Sequence, residues 1–536
     1  MCIQESDCVI EDLCISEKCD LYGSDHRPLT WSVPVLREYE LPTIVRWNIN
    51  RLKIPDYTTR MSKVMFESFT DALSKMLSLE ANLTQLIGVG NSGLRSNSQT
   101  VVNEMYDLFL SWVNLTCDKS IGKAYFDIET FKDKKLHNDK IDTIHSSIHS
   151  ISSEITHLDP KTSQFHKAYS RLESARGYYK EVCRERQYEI KEEFIEEMAK
   201  KENRSEFQKR VSSMKKRDAR STCQLDPVKL DIYASYFDTT FGAKPRGKSV
   251  TLGPGMYMNA ESCSIDLSAE CITKTLGSRF KNGKAAGPDC VYTEILLHER
   301  ELTGQLLAVL FNVCYKYAVI PSDWCKANVC LVYKKKGDIH EVPNYRPISI
   351  TCVVRRLYER MMLQYLVPCT EGFLHASQGG FRPKRSTLQQ CYALHEIMNA
   401  HPDAIHVFLD IKAAYDCVNR KILWHDMEKY GVNKHMISVC RSLLDNNVAN
   451  LVVNGQRSRD IKCRRGLLQG SSLSPLLFNV YINILIVRLY KYPKLCNKGV
   501  ETNNLFFADD GALHGQSIRN TQMMLDECSA WGEIHK

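Results

Sequence analysis

The sequence predicts an α+β chain in which a mostly helical N-terminal half leads into a part built of short apolar strands and helices. Three observations carry that reading. Between about Leu52 and Phe241 apolar residues recur at three- and four-residue spacing, most clearly over Met61–Leu79 and Val101–Val113, the period of an amphipathic helix. Further on, IHVFLDIKAAYD (405–416) is an apolar strand ending in Asp410, followed by a turn into a helix. Finally, NNLFFADDGALH (503–514) sets short apolar runs on either side of Asp509 and Asp510 and reads as strand, tight turn, strand.

The totals narrow the class. A chain of 536 residues is too long for one compact core and predicts more than one domain. Its 43% hydrophobic and 25% charged content is that of soluble globular protein, and a net charge of +8 is compatible with a nucleic-acid partner without requiring one. The 21 cysteines are scattered with no CxxC pair, so a zinc ribbon is unsupported and free thiols in a reducing compartment are expected. The acidic start MCIQESDCVIED is unlike a signal peptide, and no apolar run reaches the roughly 20 residues that span a bilayer. An intracellular protein, in the nucleus, the cytoplasm or both, is the expectation.

Adjacent carboxylates at a turn repel each other unless a cation neutralises them. Asp509 and Asp510 therefore suggest an oxygen-ligated ion such as Mg²⁺, against the simpler reading of a solvated Asp-Gly turn. A third carboxylate, Asp410, at the end of a separate strand is what a two-metal phosphoryl-transfer site needs.

FLDIKAAYD, RRGLLQGSSLSPLLFNVYIN and FFADD, in that order, resemble the palm motifs of reverse transcriptases, most closely those of non-LTR (LINE-type) retrotransposons. The resemblance covers roughly Ser278 to the C-terminus and implies a right-hand polymerase, with fingers over 261–400 and palm over 401–536. It makes Asp410, Asp509 and Asp510 the catalytic, metal-binding residues for two Mg²⁺ ions, with Mn²⁺ as an alternative. A DNA primer, an RNA template and dNTPs would be the partners. Tyr415, five residues past Asp410, would lie beneath the incoming sugar and exclude a 2′-hydroxyl; a core aromatic is the other reading. Asp416 reads as a helix cap.

Taken in order, the chain opens with YGSDHRPLTWSV (22–33), similar to the last strand of the apurinic-type endonuclease that precedes the polymerase in many LINE proteins. Asp25 and His26 would belong to that site, and Asp7 could match another of its aspartates. With the rest of that domain lacking, 1–36 is expected to be an inert remnant of a truncated chain. Residues 37–260 form the helical connector. Tyr169–Lys216 reads as a long exposed helix or coiled coil whose basic end, Met214–Arg217, could touch RNA or simply face solvent. His145 and His149 read as structural, and Phe241–Ser262 as a linker.

In the polymerase-like part, Gly287-Pro288-Asp289 forms a turn before a helix at Tyr292–His298 and matches a fingers loop that the family carries near the template. The strand Ala327–Lys336 and the segment Val342–Thr351 place Lys334 and Arg346 as candidates for the triphosphate of a nucleotide, Lys as point charge and Arg as fork. Lys335 and Lys336 read equally well as solvated. SQGGFRPKRST (377–387) resembles the family's QxGFRxxxST loop, with Arg382 and Lys384 as template-phosphate contacts and Ser386 or Thr387 as a helix cap. Asn454-Gly455 marks a hairpin turn. In GLLQGSSLSP (466–475), Gln469 and Gly470 would lie against the nascent base pair, and Ser474 and Pro475 fit the cap and first turn of a helix. The family's thumb would follow Lys536, so the chain is expected to lack it.

Two enzymes compete with this reading. A group II intron-type maturase is disfavoured by the SDH segment, and a viral RNA polymerase usually carries Gly-Asp-Asp where this chain has Ala508-Asp509-Asp510. From another class, a catalytically inactive RNA-binding retroelement fragment is the alternative.

Overall fold

The computed structural model describes residues 44–88, 94–126, 139–155, 227–242, 265–453 and 455–535, together with the short strands Glu11–Ile15 and Leu29–Ser32, Leu225, and helical residues scattered between 164 and 189. Asp7, Asp25, His26, the 214–217 cluster and Asn454 lie outside the described residues, as does the linker beyond Gly242 up to 264.

Strand β1 (Glu11–Ile15) pairs antiparallel with β2 (Leu29–Ser32). Strands β3 (Ile44–Trp47) and β4 (Lys123–Phe126) pair antiparallel and bracket two long helices, α1 (Pro55–Gly88) and α2 (Leu94–Ser120). Pro55 opens α1 where its missing N–H leaves no hydrogen bond unmade. The stripe Met61, Met65, Met76 and Leu83 of α1 is buried, as are Val102, Met105, Phe109 and Val113 of α2. Helix α3 (Asp139–Ile155) carries His145 and His149, whose side chains are not among those described.

After α4 (Leu230–Phe241) come α5 (Ala269–Arg279), α6 (Thr293–His298) and α7 (Arg300–Tyr317). Helices α1, α2 and α5 all pack on α7, whose Leu306, Leu307, Leu310, Phe311 and Cys314 are buried in one core with theirs. Helices from either side of residues 243–264 thus share one core. The Gly287-Pro288-Asp289 turn is a junction in that core: the Tyr106 hydroxyl of α2 donates to Asp289 at 2.7 Å. Burial pushes both groups' pKa values up.

A mixed sheet follows, built from β5 (Lys326–Tyr333) and β6 (Tyr345–Ile350) and, past α8 (Val353–Glu371), α9 (Thr387–Ala400), β7 (Ile405–Leu409), α10 (Arg420–Lys429) and α11 (Lys434–Leu444), from β8 (Val448–Val453), β9 (Gln456–Arg457) and β10 (Ile461–Lys462). Its order is β10-β8-β5-β6, with β9 on β8 and β5 parallel to β8, so it draws strands from both sides of residue 400. Val453 pairs with Gln456, and Gly455 stands at φ +83°. Helix α4 covers one face, setting Tyr233, Ala234, Phe237 and Phe241 against Val329, Leu331, Leu451 and Val453.

The second sheet has the order β13-β14-β7. It rests on α12 (Ser474–Leu489), which is apolar around nearly its whole circumference and correspondingly central. The β11 (Leu495–Asn497) and β12 (Val500–Thr502) hairpin leads into β13 (Asn504–Phe507) and β14 (Asp510–Gly515). Helix α13 (Ile518–His535) then packs on α12 and β14. The cap of α12 is displaced by one from expectation: Leu473 is the N-cap residue and Ser474 is already helical, its hydroxyl buried without a partner.

Helix α8 carries a fully buried ion pair. Arg355 Nε donates to Glu359 at 3.0 Å, and its other nitrogens donate to Asn447 Oδ1 and the Leu443 carbonyl, both at 2.8 Å. The free Glu359 oxygen accepts from the Ser471 hydroxyl at 2.9 Å and the Ser472 N–H at 2.7 Å. Removing one member strands the other charge. Glu359→Ala is expected to lower stability by about 3–5 kcal/mol, with Glu359→Gln costing less, as urea unfolding would measure.

Candidate active site

The hairpin and β7 assemble as the spacing of the apolar runs predicts. Phe507 pairs with Asp510 across a two-residue turn, and on the other side of β14 Gly511 pairs with Leu409 and Ala512 with Phe408. Asp410 directly follows Leu409 and Asp510 directly precedes Gly511, so both stand at the end of that ladder. Asp509 occupies the turn. Asp410 and Asp510 are exposed and Asp509 half-buried. Partial burial raises the Asp509 pKa, and the charges of Asp510 and Asp410 push it the same way. The three predicted carboxylates therefore share one electrostatic environment.

Among the described residues no three His, Cys, Asp or Glu side chains are drawn close enough to enclose an ion unaided. An open array of carboxylates suits Mg²⁺, which takes one or two from the protein and completes its shell with water and substrate phosphates. The donor set present fits that ion.

The turn is held from outside its own hairpin. Ala508, at φ +60°, lies in the left-handed region that disfavours a side chain. Its N–H donates to Gln378 Oε1 at 2.8 Å, and its carbonyl accepts from Gln378 Nε2 at 3.1 Å. Gln378 is fully buried, and the segment around it runs alongside β13: Phe506 N–H donates to Ser377 and Gly379 N–H to Phe506. In the sequence this glutamine stands in the QxGFR pattern, and its partner 130 residues away gives its role no local mark.

Around the carboxylates, Tyr415 stacks on Phe478 of α12 with ring centroids 5.2 Å apart and planes 9° apart. Its pKa is raised by burial and by Asp509, which puts the phenol beside the site. Asp416 does not cap a helix. The chain turns through 412–417, and α10 is capped by Asn419, whose side chain accepts from Lys421 N–H. Asp416 instead is buried and accepts from Gln469 Nε2 at 3.0 Å, its pKa pushed up to about 6 by burial. The Gln469 carbonyl accepts from Ser349 N–H of β6 at 2.7 Å. Gly470 sits at φ +127°, and a Cβ there would fall 2.3 Å from the Ser349 carbonyl. Both residues thus seat their loop on β6.

On β6, Arg346 is exposed and paired in register with Val332, while Lys334 Nζ donates to the Pro343 carbonyl at 2.7 Å. The Lys334 charge also reaches Asp416.

Arg382 is not free to grip a template. Its guanidinium is buried, forks onto Glu371 at 3.0 and 2.8 Å, and donates to the carbonyls of His375 and Gln378. Four contacts already occupy it, so the expected phosphate contact is corrected to a clamp that closes its own loop. Lys384 is exposed at φ +59°, and Ser386 caps α9 in a capping box with Gln389. Phe408, which the sequence reading passed over, is 67% exposed and two residues before Asp410, hence on the same face.

Below the carboxylates, His406 and His514 meet Nδ1 to Nδ1 at 3.0 Å. His514 is fully buried with Nε2 unpartnered, and burial pushes its pKa down to about 4. The unfolded chain takes up that proton near pH 6.5, so the neutral pair's contribution is complete above that value and is lost as pH falls from it toward 4. Thermal melts are expected to show a falling midpoint below about pH 6.5, and His514→Leu is expected to flatten the slope.

Residues 333–536 match the family model described as "Reverse transcriptase (RNA-dependent DNA polymerase)". The chain is 27% identical over 233 residues to the RNA-directed DNA polymerase from mobile element jockey of Drosophila melanogaster, covering 41% of this chain and 25% of that protein. It is 28% identical over 198 residues to the Pol polyprotein from type-1 retrotransposable element R2 of Popillia japonica, covering 36% and 27%. A probable RNA-directed DNA polymerase from transposon BS of D. melanogaster is 29% identical over 185 residues, 33% of this chain and 20% of that one. The chain therefore spans about a quarter of the length of the curated relatives it matches. Among solved structures, a Candida albicans telomerase covers 40% of this chain and 41% of its own at 13% identity and a TM-score of 0.32, a likeness too slight to bear on the site. The reverse transcriptase domain and the non-LTR retrotransposon group are those that the palm motifs implied. No helix among the described residues is long and apolar enough to cross a membrane.

Proposed function

We infer that the chain carries the nucleotidyl-transfer site of a non-LTR retrotransposon's RNA-directed DNA polymerase. A primer 3′-oxygen attacks the α-phosphorus of a dNTP, the bond to the β-phosphate breaks, and pyrophosphate leaves. The observation that carries the reading is the β7–β14 register, which ends one residue before Asp410 and one after Asp510, with Asp509 in the turn and under the charge of both, inside the segment that matches the reverse transcriptase family. Asp410, Asp509 and Asp510 would hold Mg²⁺ or Mn²⁺, which when bound neutralises developing charge and favours an ionised 3′-hydroxyl.

The other residues position the substrates. Tyr415, its ring fixed by stacking on Phe478, presents a wall where a 2′-hydroxyl would enter. Arg346 and Lys334 reach for the triphosphate, and Lys384 for the backbone of an RNA template. Gln469 and Gly470 shape the floor under the new base pair from a loop fixed to β6. The exposed Phe408 ring offers a surface on which a base can stack.

The decisive experiment is primer extension on an RNA template with dNTPs and Mg²⁺. Extension is expected from the wild type and not from the Asp509→Ala, Asp510→Ala double variant. Wild-type protein that is folded and binds template yet does not extend would reject the enzymatic reading of this chain. Tyr415→Val is expected to raise incorporation of ribonucleotides relative to deoxyribonucleotides roughly tenfold or more, read from single-nucleotide extension with each substrate.

A further inference from the structure

The catalytic turn is built from a residue that pays a conformational cost, and the cost is met by a side chain 130 positions away in sequence. Ala508 at φ +60° and the carboxylates beside it have no reason to stay in place by themselves: the left-handed backbone is unfavourable for alanine, and Asp509 and Asp510 repel. Gln378 addresses both halves of the Ala508 peptide environment at once. Its Oε1 accepts from Ala508 N–H and from Gly380 N–H, each at 2.8 Å, while its Nε2 donates to the Ala508 carbonyl at 3.1 Å.

The approach is close enough that a Cβ on Gly380 would lie 2.2 Å from the Ala508 nitrogen. The glutamine is itself anchored. Asn479 of α12 donates to the Gly380 carbonyl at 2.7 Å, Asn483 accepts from His375 N–H at 2.8 Å, and Arg382 donates to the Gln378 carbonyl at 3.1 Å. A rigid chain of contacts therefore runs from the central helix, through the 375–380 loop, to the turn that aims two carboxylates.

We propose that Gln378 is a positioning residue for the metal-binding turn, acting by clamping Ala508 so that Asp509 and Asp510 face Asp410. The proposal rests on the polymerase reading given above but can be tested apart from it. Gln378→Met keeps the volume and removes the amide. Loss of a group that orients metal ligands typically weakens metal binding about ten- to a hundredfold. Displacement of about 1 Å in an active site can cost about a hundredfold in rate.

The test combines Mn²⁺ binding to the protein alone, followed by electron paramagnetic resonance of the free ion, with steady-state primer extension. Gln378→Met is expected to raise the Mn²⁺ dissociation constant about tenfold and to lower kcat while leaving the KM for dNTP within about twofold. Adding Ala508→Gly, which relieves the positive φ without the clamp, is expected to restore part of the Mn²⁺ affinity. Unchanged Mn²⁺ binding in a folded Gln378→Met protein overturns the proposal, as does a variant altered in KM for dNTP alone. If the wild type proves inactive in extension, the enzymatic reading fails and the Mn²⁺ arm still decides this one. If Gln378→Met does not fold, hydrogen exchange on the wild type decides. Slow exchange at the Ala508 and Gly380 amides is expected, and free exchange at either overturns the clamp.

Discussion

Like charges gathered at the end of a strand pair are the constraint around which this molecule is arranged. Asp410 directly follows the last ladder residue of β7, Asp510 opens β14, and Asp509 sits in the adjoining turn. An isolated hairpin would relieve that repulsion by fraying, since two strands alone are marginal in water. Here fraying is blocked on every side: β7 flanks β14, the 377–379 segment runs beside β13, and α12 lies beneath with its asparagines aimed at the loop. The placement of the hairpin is thus set by packing and hydrogen bonds from the elements around it.

A second dependency links the two sheets. The loop between β10 and α12 touches β6 through Gln469 and Gly470, touches α8 through the Ser471 and Ser472 contacts with Glu359, and reaches the turn after β7 through Gln469 and Asp416. Arg355 extends the same network to Asn447, just before β8. Arg346 and Lys334, on or near β6, consequently stand in a fixed relation to the carboxylates on the other sheet. Helices α1 and α2 add to this rigidity because they share a core with α7 and bind the Asp289 turn through Tyr106.

What could be read from the sequence was whatever depends on neighbours along the chain. The α1 and α2 stripes, a helix cap at Ser386 or Thr387, and the strand–turn–strand around Asp509 are all local patterns; the cap proves to be Ser386, and the others stand where their spacing placed them. Contacts across long separations were not legible. Arg382, in a loop with Lys384 and Arg385, has the look of a phosphate grip until Glu371 is seen folded against it. Asp416 was read as a cap because a helix follows, but the intervening turn hands that task to Asn419 and turns Asp416 toward Gln469. Gln378 is visible in the QxGFR pattern, but nothing near it in sequence discloses its role, for its partner Ala508 lies 130 residues downstream.

The three-stranded sheet closes one of its flanks and leaves the other open. Next to β13 the 377–379 segment satisfies the backbone, whereas β7 is an edge strand whose outward N–H and C=O groups meet no strand among the described residues. An edge of that kind invites a foreign strand to dock and is a starting point for aggregation. Two features blunt it. At five residues, Ile405–Leu409 is short, and alternate residues in an antiparallel ladder turn their backbone groups inward, so only two or three are left facing out. The edge also terminates at Asp410, and copies stacked in register would bring that uncompensated negative charge together. The carboxylate that suits the site to hold cations thereby also guards the sheet against its own kind.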